Sequence, residues 1–411
     1  MTRVSAGSAG MSARRLSALD DEIAAVVARG DLPGAVGLIY RRGEIAYLRA
    51  HGWQDVAGGT PMRPDTLFQI MSMTKPVTAV CALTLVDQGL IGLHEPIEKV
   101  LPEFRGQRVL RHPHGDLDDT IERTRSITLS DLLTFRAGIA TLVSPHPWKP
   151  PTPVTSAITA AYDEHGDNSE AWLRAVASIP LETQPGSAWS YGTGSEVVTI
   201  LAERISGVPY PELLSQRIFE PLGMVDTCYV VPAGKQHRLA TAYERQPDTP
   251  TIEVLTSEFF TEHRPTAVTP PFPRGGYGLV STVDDYLQFS RMLLAGGTLN
   301  GERVLSRRLA SLMTTNHLSD QQRAALPAPV VDSYRGQGWG LGLQVVIDPA
   351  LHEQYVGYAS RGSFGFSGAL GTWWQADPVE QMIQIFMYQL LSPDDAVRQL
   401  FQNRGYEAID E

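Results

Sequence analysis

The chain has 411 residues, 43% hydrophobic and 19% charged, which suits a large buried core and excludes a disordered polypeptide. A net charge of −11, from 34 basic and 45 acidic residues, argues against a nucleic-acid partner, because phosphate binding needs concentrated positive charge. Only four of the basic residues are lysines (Lys75, Lys99, Lys149 and Lys235), so no catalytic lysine can come from beyond position 235. Codon usage accounts for such a skew toward arginine, yet it leaves Lys75 alone in an apolar stretch. Two cysteines, Cys81 and Cys228, make no disulfide framework and match no metal-binding spacing. The first 22 residues lack the apolar core of a secretory signal, and no run of 18 apolar residues is present to cross a membrane. The expected location is the cytoplasm.

Leu16 to Ala28 shows helical spacing of apolar residues, with acidic residues between them. Val36–Tyr40 and Ile45–Leu48 are β-rich runs joined by a turn containing Gly43, the pattern of an antiparallel hairpin. From Thr74 to Val86 Lys75 is the only charge, so the spacing predicts a helix buried on all sides, with Pro76 in its first turn and Gly89 as its stop. Helical segments and proline-rich loops follow: ITLSDLLTF, SEVVTILAERISG and PYPELLSQRIFEPLG are helical, while PHPWKPPTPVTS and TEHRPTAVTPPFPR are loops. A helix capped by Ser281 or Thr282 comes next. Three β-rich runs then appear, GLGLQVVID, FGFSGALGTWWQAD and QMIQIFMYQLL, and a last helix spans 394–401. The predicted fold is α/β (α+β), an antiparallel sheet flanked by helices and built from residues 15–70 and 271–411. A mostly helical domain, 71–270, is inserted, with the active site between the two.

Ser72-Met73-Thr74-Lys75 is the strongest local signal for chemistry. Residues three apart share a helix face, so the Lys75 amine falls near the Ser72 hydroxyl. A serine needs a base to become a nucleophile, and burial among Met71, Met73, Val77 and Val80 lowers the pKa of a lysine toward the neutral form that can act as one. The alternative is a serine helix cap with a lysine reaching to the surface. Competing constellations are poorer. Gly365-Phe366-Ser367-Gly368-Ala369 misses the nucleophile elbow, and His112, His114, Asp116, Asp118 and Asp119 read as a solvated loop rather than a metal site. Gly192-Thr193-Gly194 lacks the third glycine of a dinucleotide loop.

FQIMSMTKPVTAVCALTLVDQGLIGL, ITLSDLLTFRAGI, PGSAWSYGTGSEVVTILAERISG, IFEPLGMVDTCYV and GGYGLVSTVDDYLQFSRMLLAGG occur in that order. Together they resemble the serine β-lactamase and penicillin-binding-protein superfamily, in its class C-like branch and closest to the family VIII carboxylesterases. The resemblance implies a nucleophile at Ser72, a proton partner at Lys75 and a second acid/base group at Tyr191, whose phenol a neighbouring ammonium would lower. It also implies an oxyanion hole from the backbone N–H groups of Ser72 and Ala369.

The sequence departs from the superfamily in ways that narrow the substrate. Thr193 stands where many relatives carry asparagine, and no Lys-Thr-Gly occurs; Phe366-Ser367-Gly368 takes its place. Loss of that cation removes the clamp for a substrate carboxylate, unless Arg361 or Arg274 replaces it, and favours an uncharged ester. Phe366, Ser367, Gly368, Phe135 and Thr193 are the candidate substrate-binding residues, with Trp189 and Tyr277 as further apolar neighbours. The expected protein is a carboxylesterase working through an acyl-enzyme, without metal or organic cofactor, as a monomer or homo-oligomer, with a small-molecule ester as its partner. A β-lactamase, a D-amino-acid peptidase or amidase, and a transesterase are alternatives on the same residues. A non-catalytic ligand-binding sensor is an alternative of a different class.

Overall fold

The computed structural model describes residues 5–141, 152–246, 251–256, 271–325, 335–391 and 395–410. Its centre is an eight-stranded sheet ordered Gln337–Trp339, Gln344–Val346, Phe364–Ser367, Trp373–Asp377, Met382–Met387, Gly34–Arg41, Glu44–Asp55 and Thr60–Pro61. Each neighbouring pair is antiparallel. The two chain ends meet in the middle of the sheet, where Val36 faces Met387 and Leu38 faces Ile385. This is the expected mixed α/β plan, an antiparallel sheet flanked by helices.

The strand sequences explain why the sheet is covered on both faces. Val36 and Leu38 enter one core while Ala35 and Ile39 enter the other, and Ile383 and Ile385 alternate in the same way with Met382 and Phe386. One face packs against the helices Ala13–Ala28 and Asp395–Glu407. There Phe401 stacks on Phe386 with ring centroids 4.6 Å apart, a pair worth about 0.5–1.5 kcal/mol beyond its buried area. The other face meets the helix Val283–Leu294 and the larger core.

Within that larger core lies the helix Thr74–Asp87, in which every residue from Thr74 to Leu85 is buried. It packs on the helix Gly194–Ser206, which ends at Gly207 in the left-handed conformation. The Leu129–Leu133 helix opens with a capping box between Thr128 and Asp131. Thr282, rather than Ser281, caps the Val283–Leu294 helix, its hydroxyl accepting from the Asp285 N–H at 3.2 Å. PYPELLSQRIFEPLG is less regular than expected, because Tyr210–Leu214 passes through a π-helical turn, Ser215–Phe219, before Glu220–Leu222.

The first hairpin is present and longer than its apolar runs, with Arg42 and Gly43 both at positive φ in the turn. FGFSGALGTWWQAD departs from expectation: it forms two strands rather than one. The chain reverses between Ser367 and Trp373, where the Gly368 N–H donates to the Thr372 carbonyl at 2.7 Å. Most of both proline-rich loops lies outside the described residues. Among the described residues no helix is long and apolar enough to cross a membrane.

Candidate active site

Ser72 lies on a 3₁₀ turn, Met71–Met73, that runs directly into the buried helix. Met71 before it has φ +47, an uncommon conformation for a residue with a side chain, at a cost of about 1–3 kcal/mol. Several bonds hold the turn in this conformation. The Ile70 N–H donates to the Leu279 carbonyl at 3.0 Å, and the Ile70 carbonyl accepts from the Met73 N–H and from Thr372 Oγ1 at 3.0 and 3.1 Å. Tyr286 donates its hydroxyl to the Met73 carbonyl at 2.8 Å.

The expected meeting of Ser72, Lys75 and Tyr191 is present in the geometry. Lys75 Nζ donates to Ser72 Oγ at 3.1 Å and to the Gly276 carbonyl at 2.7 Å. The Tyr191 hydroxyl lies 2.8 Å from Ser72 Oγ, and Lys75 Nζ sits 4.8 Å from the centre of the Tyr191 ring. Ser72 keeps partial exposure, whereas Lys75 is 6% exposed.

Burial sets the protonation of the pair in opposite directions. Desolvation lowers Lys75 to about 8, against a smaller opposing pull from Glu196. Desolvation raises Tyr191 above the ordinary phenol value, and the Ser72 hydrogen bond offsets only part of that. The lowered phenol expected from an adjacent ammonium is therefore corrected: enclosure outweighs the charge, and Lys75 is the group that titrates nearer neutrality.

Phe135 and Phe366 are buried members of an aromatic cluster around Tyr191. Phe135 contacts the Tyr191 and Trp339 rings, each at 5.2 Å, and Trp339 meets Phe366 edge-on at 5.5 Å. Trp189 packs on Trp339 at 5.1 Å. Tyr277 joins a separate apolar group with Met71, Leu255 and Leu370. Ser367 is exposed at the end of its strand and Ala369 is exposed in the turn beyond it. Gly368 passes so close to the nucleophile turn that a Cβ there would lie 2.4 Å from the Ile70 carbonyl oxygen. Among the described residues, neither the Ser72 nor the Ala369 backbone N–H donates to the chain.

Three expected contributors are placed differently. Thr193 is fully buried and donates its hydroxyl to the Ala140 carbonyl at 2.8 Å, so it seats the loop before the Gly194–Ser206 helix instead of offering a contact to substrate. Arg361 lies before the strand Phe364–Ser367, at the end away from Ser72. Arg274 is buried, donates to the Gly166 carbonyl and stacks over Phe272 and Tyr162 at 4.0 and 4.6 Å.

Glu196, Gly276 and Trp339 also border the cluster of Ser72, Lys75 and Tyr191, beyond the residues expected from the sequence. Glu196 was visible as a lone acid in the apolar face of SEVVTIL, and Gly275-Gly276 as a glycine pair, a signal of close backbone approach. No three His, Cys, Asp or Glu side chains converge as a metal site among the described residues.

These features belong together in one family. Residues 19–406 match the Beta-lactamase family, and the chain belongs to it. An uncharacterised protein of Mycobacterium tuberculosis is 39% identical over 366 residues, covering 88% of this chain and 86% of its own. Esterase EstB of Burkholderia gladioli is 30% identical over 385 residues, covering 89% and 87%. Among solved structures, EstCE1, a hydrolase with promiscuous acyltransferase activity, superposes with a TM-score of 0.77 at 23% identity, covering 97% of this chain and 99% of that one. Monacolin J acid methylbutanoyltransferase of Aspergillus terreus is 25% identical over 403 residues, covering 89% and 88%, so the chain has esterase and acyltransferase homologues by sequence.

Proposed function

We propose that the protein is a serine hydrolase of uncharged carboxylic esters, short to medium in acyl length or otherwise hydrophobic, working through an acyl-enzyme on Ser72. The observation that carries the reading is the contact of Ser72 Oγ with both Lys75 Nζ at 3.1 Å and the Tyr191 hydroxyl at 2.8 Å. The site would lie between the sheet unit, residues 15–70 and 271–411, and the helical unit, 71–270.

Lys75, with its value near 8, takes the Ser72 proton in its neutral form as Oγ bonds to the ester carbonyl carbon. The resulting oxyanion is met by the N–H groups of Ser72 and Ala369, each such donor contributing roughly two to three decades in rate. When the ester C–O bond breaks, the protonated Tyr191 phenol gives its proton to the leaving alkoxide, and the Lys75 proton replaces it. Water then attacks the acyl carbon, loses a proton through the same pair and releases the acid, restoring the Ser72 hydroxyl. Phe366, Ser367, Gly368 and Phe135 border this path.

An uncharged substrate is favoured because no lysine follows Lys235 and the Arg274 guanidinium is engaged by the Gly166 carbonyl and the Phe272 and Tyr162 rings. The homology to esterase EstB supports the same choice. Transfer to an alcohol in place of water is a second reading, favoured by the acyltransferase activity named for the structural relative EstCE1.

The test is turnover of p-nitrophenyl acetate, butyrate and octanoate, and of nitrocefin, by the protein and by Ser72→Ala. Ester turnover lost in the variant is expected; turnover that persists refutes the mechanism. Faster nitrocefin hydrolysis moves the assignment to a β-lactamase, and butyl ester formation in added butanol establishes transfer. Ligand binding without turnover of any substrate would identify a sensor.

A further inference from the structure

Beside the backbone segment on which Lys75 docks, the structure buries a second set of charged groups that the acyl-enzyme chemistry does not use. Glu196, on the Gly194–Ser206 helix, is 1% exposed, and its Oε1 has no hydrogen-bond partner. Arg274 is 5% exposed, with Nη1 likewise without a partner. Tyr162, on the helix Pro153–His165, is packed beside them, with the Arg274 guanidinium 4.6 Å over its ring. A buried carboxylate is costly unless cations offset it, so a buried Glu196 beside Arg274 and Lys75 needs a reason.

The segment Arg274–Leu279 connects these groups to the nucleophile. Its Gly275 carbonyl accepts from Thr78 Oγ1 at 2.7 Å, its Gly276 carbonyl accepts from Lys75 Nζ at 2.7 Å, and its Leu279 N–H donates to Thr74 Oγ1 at 3.2 Å. The Glu196 carboxylate presses on the same segment, because a Cβ on Gly276 would lie 2.3 Å from Glu196 Oε1. Gly276 is thus held between the ammonium of Lys75 and the carboxylate of Glu196.

We propose that Glu196, with Arg274 as its permanent countercharge, is a positioning residue that tunes the protonation of Lys75 and fixes the backbone on which Lys75 docks. The inference rests on the acyl-enzyme reading above. An anion beside Lys75 favours its charged form, and a cation beyond the anion keeps that anion ionised when Lys75 loses its proton. Lys75 and Arg274 both pull the Glu196 carboxyl down, against a larger upward push from burial. The other titratable groups around Glu196 are the phenols of Tyr162, Tyr229 and Tyr277, all raised by burial and therefore neutral. Tyr191, whose ring centre lies 4.8 Å from Lys75 Nζ, is neutral for the same reason. Glu196 is thus the only group in this set that carries a negative charge in its ionised form at working pH.

The test is the pH dependence of Ser72 phosphonylation by a fluorophosphonate, read by intact mass, beside kcat/KM for p-nitrophenyl butyrate. Glu196→Gln keeps the shape and removes the charge, so the acid limb of both profiles is expected to move down by about one pH unit, raising relative reactivity on that limb about tenfold. Arg274→Gln removes the countercharge, leaves Glu196 leaning on Lys75 alone, and is expected to move the limb up. An unmoved limb in both folded variants, or shifts of the same sign, overturns the proposal. If Glu196→Gln does not fold, the sign of the Arg274→Gln shift decides. Labelling of Ser72 without turnover of any ester refutes the substrate assignment, and the labelling profile still decides the role of Glu196.

Discussion

Replacing Tyr191 by phenylalanine separates the proton-transfer role of the hydroxyl from the packing role of the ring. The ring contacts Phe135 at 5.2 Å and Trp339 at 6.3 Å, and phenylalanine preserves both. What is lost is the hydroxyl 2.8 Å from Ser72 Oγ. Its raised pKa keeps that group protonated over the working range, so its proton is available to a leaving alkoxide. Positioned acid–base groups contribute about 10²–10⁴ in rate, or about 3–5 kcal/mol. An alkyl ester, whose alkoxide must be protonated to leave, is expected to lose that full factor. p-Nitrophenyl butyrate, whose nitrophenolate leaves without a proton, is expected to lose at least about tenfold less. The assay compares kcat/KM for ethyl butyrate, by pH-stat, with that for p-nitrophenyl butyrate, by absorbance, on Tyr191→Phe and the parent protein. Equal losses on both esters would refute the assignment of Tyr191 as donor to the leaving group.

The neutral fraction of a Lys75 titrating at about 8 predicts that kcat/KM falls about tenfold per pH unit below that value and levels above it. A Lys75→Arg protein, charged at every accessible pH, should lose both the activity and that limb. Gly368→Ala drives a Cβ to within 2.4 Å of the Ile70 carbonyl oxygen; displacement of the neighbouring Ala369 N–H should lower kcat by about 10²–10³ with KM little changed. Thr193→Ala removes a buried hydrogen bond to Ala140 and should lower stability by about 1 kcal/mol, measured by urea unfolding, while leaving KM unaltered. His352 is fully buried, and burial lowers its imidazole to about 4. A depressed imidazole binds fewer protons folded than unfolded, so this contribution is present above about pH 6.5 and is lost as pH falls toward 4, at most about 3 kcal/mol. Urea midpoints across that range should show a shallower acid loss for His352→Gln than for the parent protein.

The legible parts of the fold are those in which a local rule and the tertiary context agree. The first hairpin announces itself because its turn uses Gly43 between β-rich runs, and the buried helix because no charge but Lys75 interrupts it. The hairpin hidden within FGFSGALGTWWQAD escaped because glycine serves both extended strands and reversals, and only pairing with neighbouring strands decides between them. Ser72 and Lys75 were legible because they stand three positions apart, on one helix face. Gly276, 201 residues from Lys75 along the chain, was not, since its carbonyl looks like every other until the fold brings it to the amine. Thr193 misled because its place beside Tyr191 says nothing of which way its hydroxyl turns. The sign of the Tyr191 shift depends on enclosure, which a sequence does not carry.

The bond from Thr372 Oγ1 to the Ile70 carbonyl joins groups 302 residues apart in sequence. Ser72 and Lys75 belong to one short local segment, whereas the turn bearing Ala369 reaches them only when that very long loop closes. Long-range closures of this kind are entropically late events in folding. On the ribosome, a nascent chain that already contains Ser72, Lys75 and Tyr191 would still lack the strands that bring the Ala369 turn beside them. Under the oxyanion role proposed for Ala369, acylation of Ser72 would await completion of the sheet.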